Sequence, residues 1–256
     1  MRKRYAAIVT VAPLVALAAV LPAAHAADRV EGDTRITSVT PSKPTVAVGS
    51  TLGTSIGVTL TATDDSGIDS VIGPKVVGPD GLIIRPTRNE CTAQSATTVE
   101  CVYSFPLSPD GTDAQDLRNS AAGAWRFKAK AVANDGDFHH LSKSDLLNIK
   151  RHVRLDGADA TPEPVDKGDK LTVTDRLSRS DWDTNVWGGY AGKYVDLQFR
   201  KSGTDTFKTV KTLVTDVDGE LRTTVTAKTT GTWRWRFTAN TTSTGVAGQG
   251  DRVVVR

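Results

Sequence analysis

Apolar residues recur at every second position along much of the chain. Ile56, Val58, Leu60 and Ala62 alternate with Gly57, Thr59, Thr61 and Thr63, and Trp125, Phe127, Ala129 and Ala131 alternate with Arg126, Lys128, Lys130 and Val132. Further on, Val195, Leu197 and Phe199 are interleaved with Asp196, Gln198 and Arg200, and Trp233, Trp235 and Phe237 with Arg234, Arg236 and Thr238. A period of two puts one face of each strand in a dry interior and the other in water, the pattern of antiparallel sheets packed face to face. Threonine-rich strands punctuated by Gly, Pro and Asp favour a β-sandwich. Only Ala114–Ala122 offers room for a short helix.

The pattern runs through the chain twice. Val46-Ala-Val-Gly49-Ser-Thr-Leu52 and Val165-Asp-Lys-Gly168-Asp-Lys-Leu171 share V-x-x-G-x-x-L, each preceded by a proline, Pro44 or Pro164. Gly123-Ala-Trp125-Arg126-Phe127 then matches Gly231-Thr-Trp233-Arg234-Trp235. Two landmarks repeated in the same order predict a duplicated unit. The division is expected near Lys150–Asp156, giving a first sandwich over residues 27–150 and a second over 151–256. The small-residue lead-ins to Trp125 and Trp233 fit the corner before strand F of an immunoglobulin-like domain, with Trp in place of the usual Tyr.

The first 26 residues stand apart. Arg2, Lys3 and Arg4 precede an apolar run from Ala6 to Leu21 and a small-residue site, Ala24-His25-Ala26, which together read as a secretory signal cleaved after Ala26. A membrane anchor is the alternative, but the run falls short of the roughly 20 residues a span needs and Pro13 interrupts it. No later stretch is apolar enough to span. Charge changes with this assignment: taking the leader's three basic residues from 32 Lys+Arg leaves 29, equal to the 29 Asp+Glu. A neutral mature chain has no overall field to draw in nucleic acid, which is set aside as a partner. In an exported chain the two cysteines, Cys91 and Cys101, read as one disulfide stapling a hairpin or short loop.

The combination of Thr61-Ala-Thr-Asp-Asp-Ser-Gly-Ile68, Ala133-Asn-Asp-Gly-Asp137, Pro162-Glu-Pro-Val165, Leu197-Gln-Phe-Arg-Lys201 and Gly231-Thr-Trp-Arg-Trp235 resembles secreted actinobacterial proteins built from tandem immunoglobulin-like domains. That resemblance implies an all-β chain of two tandem immunoglobulin-like sandwiches and export. Some such proteins carry a loose calcium-binding label, and none of the quoted segments is a catalytic signature.

Chemistry-bearing residues are few. No G-x-S-x-G, H-E-x-x-H or P-loop occurs, and adjacent His139 and His140 read as a polar loop tip between strands F and G. A hydrolase built on two facing carboxylates is the least favoured reading. Calcium, which takes six to eight oxygens, is a stronger idea. Asp181-Trp-Asp-Thr-Asn185 begins like an EF-hand, but Val186 and Gly192 occupy the places of the turn glycine and the terminal glutamate. Asp216-Val-Asp218-Gly-Glu220 reads as a hairpin turn. If Ile56–Thr63 is strand B and Trp125–Ala133 strand F, the B–C and F–G connections share one end of the sandwich. Asp64, Asp65, Asp69, Asp135 and Asp137 are then the candidate calcium ligands, against the plainer reading that each caps its own turn. By the same mapping Asp181–Tyr190 is an expanded B–C loop of the second sandwich, beside an F–G loop over 240–250. Trp182, Trp187 and Tyr190 there are the candidate binding residues: exposed, they would stack on a sugar or anchor a protein; folded inward, they would cap a core. The functional expectation is a secreted, non-enzymatic protein binding an extracellular glycan or protein through such loops. A calcium-binding or calcium-stabilised protein is the alternative, with no cofactor otherwise required.

Overall fold

The computed structural model describes residues 28–256; the proposed export signal lies outside them. The first half holds β1 (Arg29–Glu31), β2 (Arg35–Pro41), β3 (Thr45–Val48), β4 (Thr54–Thr63), β5 (Ile68–Val77), β6 (Ile83–Ile84), β7 (Arg88–Ala93), β8 (Thr98–Leu107), β9 (Gly123–Ala133) and β10 (Phe138–Arg151). One sheet runs β2-β4-β8-β7. The other runs β10-β9-β5-β6, with β1 and β3 along the outer edge of β10. Among the described strands of this half, β3 pairs in parallel with β10 and the rest pair antiparallel. In immunoglobulin letters this is A-B-E-D facing A′-G-F-C-C′. The alternation seen in the sequence is the cause: Ile56, Val58, Leu60 and Ala62 of β4, Tyr103, Phe105 and Leu107 of β8, and Trp125, Phe127, Ala129 and Ala131 of β9 are all buried between the sheets.

The corner before β9 keeps its hydrogen bond despite carrying Trp. Trp125 Nε1 donates at 2.8 Å to the carbonyl of Ala121, in the 3₁₀ turn Asn119–Ala121 that stands where a short helix was expected. Cys91 of β7 and Cys101 of β8 are direct cross-strand partners and form a disulfide. All six residues of β7 are exposed, so this edge strand buries nothing that would hold it. Reducing the bridge is expected to cost about 2.5 kcal/mol. In a native-state hydrogen-exchange experiment β7 should lose protection before β4 or β9; uniform loss would show the bridge acting on the whole domain instead.

The second half holds β11 (Val153–Leu155), β12 (Asp159–Thr161), β13 (Lys170–Asp181), β14 (Val186–Gly189), β15 (Tyr194–Lys201), β16 (Lys208–Val214), β17 (Glu220–Thr226), β18 (Gly231–Phe237), β19 (Val246–Ala247) and β20 (Asp251–Val253). The long β13 is flanked by β12 and β17 over its first half and by β11 and β14 over its second. The facing sheet runs β16-β15-β18, with β19 and β20 both on β18. The two sheets enclose Leu171, Val173, Leu177, Val195, Leu197, Trp233, Trp235 and Phe237. Trp235 Nε1 is buried there without a hydrogen-bond partner. The chain is therefore all-β and is built as two immunoglobulin-like sandwiches in tandem.

The passage between them is short. β10 ends at Arg151 and β11 begins at Val153, leaving His152 alone between strands of different sandwiches.

Candidate functional site

The expanded B–C loop expected to display aromatics is instead a plug at the junction of the two sandwiches. β13 and β14 form a hairpin whose tip is Trp182–Asn185, and that tip enters the end of the first sandwich. Trp182 is 2 % exposed and packs into the first sandwich's core, not its own. Its indole Nε1 donates to the Val48 carbonyl at 3.2 Å, and its backbone N–H to Asn119 Oδ1 at 2.9 Å. The same Val48 carbonyl accepts the His152 N–H and the Ser180 hydroxyl, each at 3.0 Å. Asp183 receives the Asn119 backbone and side-chain N–H groups at 3.1 and 2.6 Å. Asn185, at φ 59°, donates to the carbonyls of Ser50 and Pro109. The Asp-x-Asp-x-Asn start is thus spent on turn and junction hydrogen bonds.

Charge at the junction is buried with it. Arg151 Nε donates to the Ser180 carbonyl at 2.6 Å, and its Nη2 lies 3.4 Å from Asp181 Oδ2. Burial, then the like charge of Arg179, pushes the Arg151 guanidinium down to about 10 against the opposing pull of Asp181. Burial opposes ionisation of Asp181, but hydrogen bonds from Asn119, Thr184 and Asp183 hold its carboxyl below the ordinary value.

Tyr190 is also buried. Its ring packs edge-on against Phe237 and lies under Arg179, and its hydroxyl meets Ser243 and Asn240 of the F–G loop at 3.2 and 3.0 Å. Any Cβ at Gly189 would overlap the Asp218 backbone, which accounts for one member of the glycine pair. Trp187 is half-buried, met by His152 edge-on at 5.6 Å and by the Arg154 guanidinium at 4.4 Å. The candidate binding trio therefore offers at most one partly covered ring. Removing a large aromatic surface from water is favourable in any core; Tyr190 finds it in its own sandwich and Trp182 in the other.

The acidic residues do converge, at the opposite end of the first sandwich. Asp64 and Asp65 lie between β4 and β5, and Asp135 and Asp137 between β9 and β10. Single oxygens of Asp33, Asp64 and Asp137 lie within 4.8 Å of one another, as do those of Asp64, Asp65 and Asp135. Asp69 is the exception: it is the second residue of β5, exposed and away from both groups, because the B–C turn closes at Gly67. Asp33 was missed. The topology holds the signal, since strand A runs antiparallel to strand B and Arg35 pairs with Thr63, a register that carries Thr34 to Asp64 and Asp33 to Asp65.

Asp64 organises this end. Its Oδ1 accepts the Ser66 N–H and hydroxyl at 2.8 and 2.6 Å, and its Oδ2 accepts the Thr34 hydroxyl at 2.6 Å. A carboxylate has about four lone-pair sites, so one on Oδ2 remains open. These hydrogen bonds from Ser66 and Thr34 hold Asp64 below the ordinary carboxylate value. Desolvation, then the negative charges of Asp64 and Asp65, pushes Asp33 above it. The Asp33 N–H reaches Asp137 Oδ2 at 3.1 Å, and the Asp137 N–H reaches Asp135 Oδ1 at 3.1 Å. Gly32, at φ 70°, passes so close to the Asp137 carboxylate that a Cβ would overlap it. Asp33, Thr63, Asp64, Asp65 and Thr97 line an open depression of about 330 Å³. It is a shape and charge that suit a divalent cation with several oxygen ligands.

The histidines are not a loop tip. His139 and His140 lie in β10 and point to opposite faces; His139 is buried, and its Nδ1 accepts the Ile36 N–H at 2.8 Å. Both cysteines are in the disulfide, which leaves no free thiol. Asp216 accepts the N–H groups of Asp218 and Glu220 at 3.0 and 2.8 Å, the hairpin turn read from the sequence.

No family model matches the chain, and no curated protein does. Among solved structures, the D0-D1 domain of Intimin is 16% identical, covering 86% of this chain and 98% of that one, with a TM-score of 0.29. The D00-D0 domain of Intimin is 11% identical over 84% of this chain and 99% of that one, also at 0.29. Dimeric latent PorU from Porphyromonas gingivalis is 12% identical over 87% of this chain and 20% of that one, at 0.26. At such TM-scores these likenesses carry no argument about ligand or activity. No helix among the described residues is long and apolar enough to cross a membrane.

Proposed function

We propose that the chain is an exported, non-enzymatic protein acting at or outside the cell surface. Its two sandwiches form one stiff unit that presents the free loop end of the first to an extracellular glycan or protein. The junction is the observation that carries this reading. Loops at this end of a sandwich are the usual binding loops, and in the second sandwich they are occupied by the first. The equivalent loops of the first sandwich, at 64–67 and 134–137, expose Asp65, Ser66, Asn134, Asp135 and Gly136 at the far tip. The disulfide supports an oxidising compartment. The test is retention of wall and medium components by residues 27–256, set against a variant with both tip loops replaced by glycine-serine turns. Equal retention by the two would rule out the tip.

A calcium-stabilised tip is the second reading, favoured by the two overlapping carboxylate groups that share Asp64. A cation would offset the negative charges of Asp64 and Asp65, which after desolvation raise Asp33, and tie strand A to the B–C and F–G turns. A site with a Kd near 10⁻⁴ M, at the strong end of extracellular modules, would add about 1.4 kcal/mol at 1 mM calcium. The melting temperature is expected to rise by several degrees with calcium and return with chelator, and Asp64→Asn should abolish the response. A melt indifferent to calcium removes this reading and leaves the first intact.

A further inference from the structure

The outer face of the second sandwich carries unbalanced charge. With Trp233, Trp235 and Phe237 of β18 turned inward, Arg234 and Arg236 stand outward. Arg236 is in register with Asp196 and Arg234 with Gln198 of β15, while Thr232 of β18 lies between Arg200 and Arg252. Phe207 holds two of these groups in place: the guanidinium of Arg234 lies 3.7 Å and that of Arg200 4.8 Å from its ring centre. Arg234 is fixed further by donating from Nε to Gln198 Oε1 at 3.0 Å. Among the described residues no carboxylate lies within 4.0 Å of Arg200, Arg234, Arg236 or Arg252; the five ion pairs found involve other residues. Asp196, which shares the face, takes the Thr212 hydroxyl at 2.6 Å instead. Partial burial and the like charges of Arg236 and Arg200 hold Arg234 below the ordinary guanidinium range, so the cluster is electrostatically uncomfortable as it stands. At the open end, Arg200, Lys201, Ser202, Thr204, Thr232 and Arg252 line a polar depression of about 410 Å³, with Asp205 the one carboxylate among its lining residues.

The same face bears an aromatic at its other end. Tyr194, two residues before Asp196 and so on the same side of β15, is 75% exposed beside Val214. From Tyr194 to Arg200 the strand covers about 20 Å, at roughly 3.4 Å per residue. A tyrosine ring presents an apolar plate and a hydroxyl, which suits the flat face of a sugar. Pre-oriented guanidinium groups suit oxyanions in a paired, forked geometry.

We propose that this face binds a linear anionic glycan, with Arg200, Arg234, Arg236 and Arg252 meeting phosphate or sulfate groups along the chain and Tyr194 stacking on a sugar ring. A polymer fits better than a single anion because the four guanidinium groups are spread along the sheet. It fits better than a bilayer because Phe207 is covered by the guanidinium groups of Arg200 and Arg234, while the exposed Tyr194 and Val214 stand at one margin. The site is separate from the acidic tip, and either can fail without the other.

The test is a binding titration of residues 27–256 with dextran sulfate, phosphomannan, neutral dextran, inorganic polyphosphate and anionic phospholipid vesicles. Dextran sulfate or phosphomannan should bind, and which one is tighter identifies the ester. Affinity should fall steeply between 50 and 200 mM salt. Arg236→Ala/Arg252→Ala, both exposed and outside the core, should weaken it at least tenfold with an unchanged melt. Tyr194→Ala should weaken the charged glycans severalfold. Binding of neutral dextran alone, preference for vesicles, polyphosphate binding as tightly as the glycans, or affinity indifferent to the arginine variant would each overturn the proposal.

Discussion

Trp182→Ala is expected to lower stability by about 3–5 kcal/mol, the range for emptying a buried tryptophan site. Its distinguishing feature is where the loss falls. The residue belongs to the second sandwich by sequence, but its indole fills the first sandwich's core. Removing it opens a cavity in one domain while deleting the plug that docks the other, and the Val48 carbonyl loses the indole donor. Urea unfolding of the variant should separate into two transitions where the parent shows stronger coupling, and small-angle scattering should report a larger mean dimension as the junction loosens. Trp182→Phe, which restores most of the volume without the hydrogen bond, should recover the greater part of both. A loss below about 1 kcal/mol, with unchanged scattering, would mean that the hydrogen bonds of Asn119, Asn185 and Arg151 hold the junction unaided.

The residues explain why some features were legible in the sequence and others were not. Strand alternation is a local property: Ile56 to Ala62 or Trp125 to Ala131 must face one way whatever surrounds them, so the sandwiches could be read directly. The acidic tip was legible one step further on, because strand direction fixes which loops share an end. Asp69 stays outside it, since a turn closed by Gly67 leaves no loop at position 69, and Asp33 enters it only through the pairing of strand A with strand B, which no local pattern announces. The fate of Trp182 was illegible for a different reason. An exposed loop aromatic and one buried in a neighbour have identical local sequence, and what decides between them is the open end of another domain, 63 to 135 residues earlier in the chain. The arginine face was likewise hidden by the neutral total charge, which averages over faces the fold later separates.

Asp175 provides the second large effect, and its sign is set by burial. It lies in the middle of β13 and is 6% exposed. Its Oδ1 accepts the N–H groups of Gly157 and Arg176 at 3.0 and 2.7 Å, which pins the bend between β11 and β12 onto the sheet. Its Oδ2 is buried without a partner. Desolvation is the leading cause that pushes the carboxyl up from 3.8 to about 6, against the lowering effect of the backbone N–H groups. The native state therefore holds a proton that the unfolded chain has already released between about pH 4 and pH 6. Stability falls as pH rises through that window: the favourable contribution is complete below the unfolded value and gone above the folded one. At about 1.4 kcal/mol per pH unit the total is on the order of 3 kcal/mol. Asp175→Asn keeps an oxygen for Gly157 and Arg176 and carries no charge at any pH, so it should be more stable than the parent at pH 7.5 and nearly equal to it at pH 4. The melting-temperature difference between parent and variant, followed from pH 4 to 7.5, should grow steadily and level off above pH 6.5. A constant difference across that range would show that the Asp175 carboxyl titrates normally and that water reaches Oδ2.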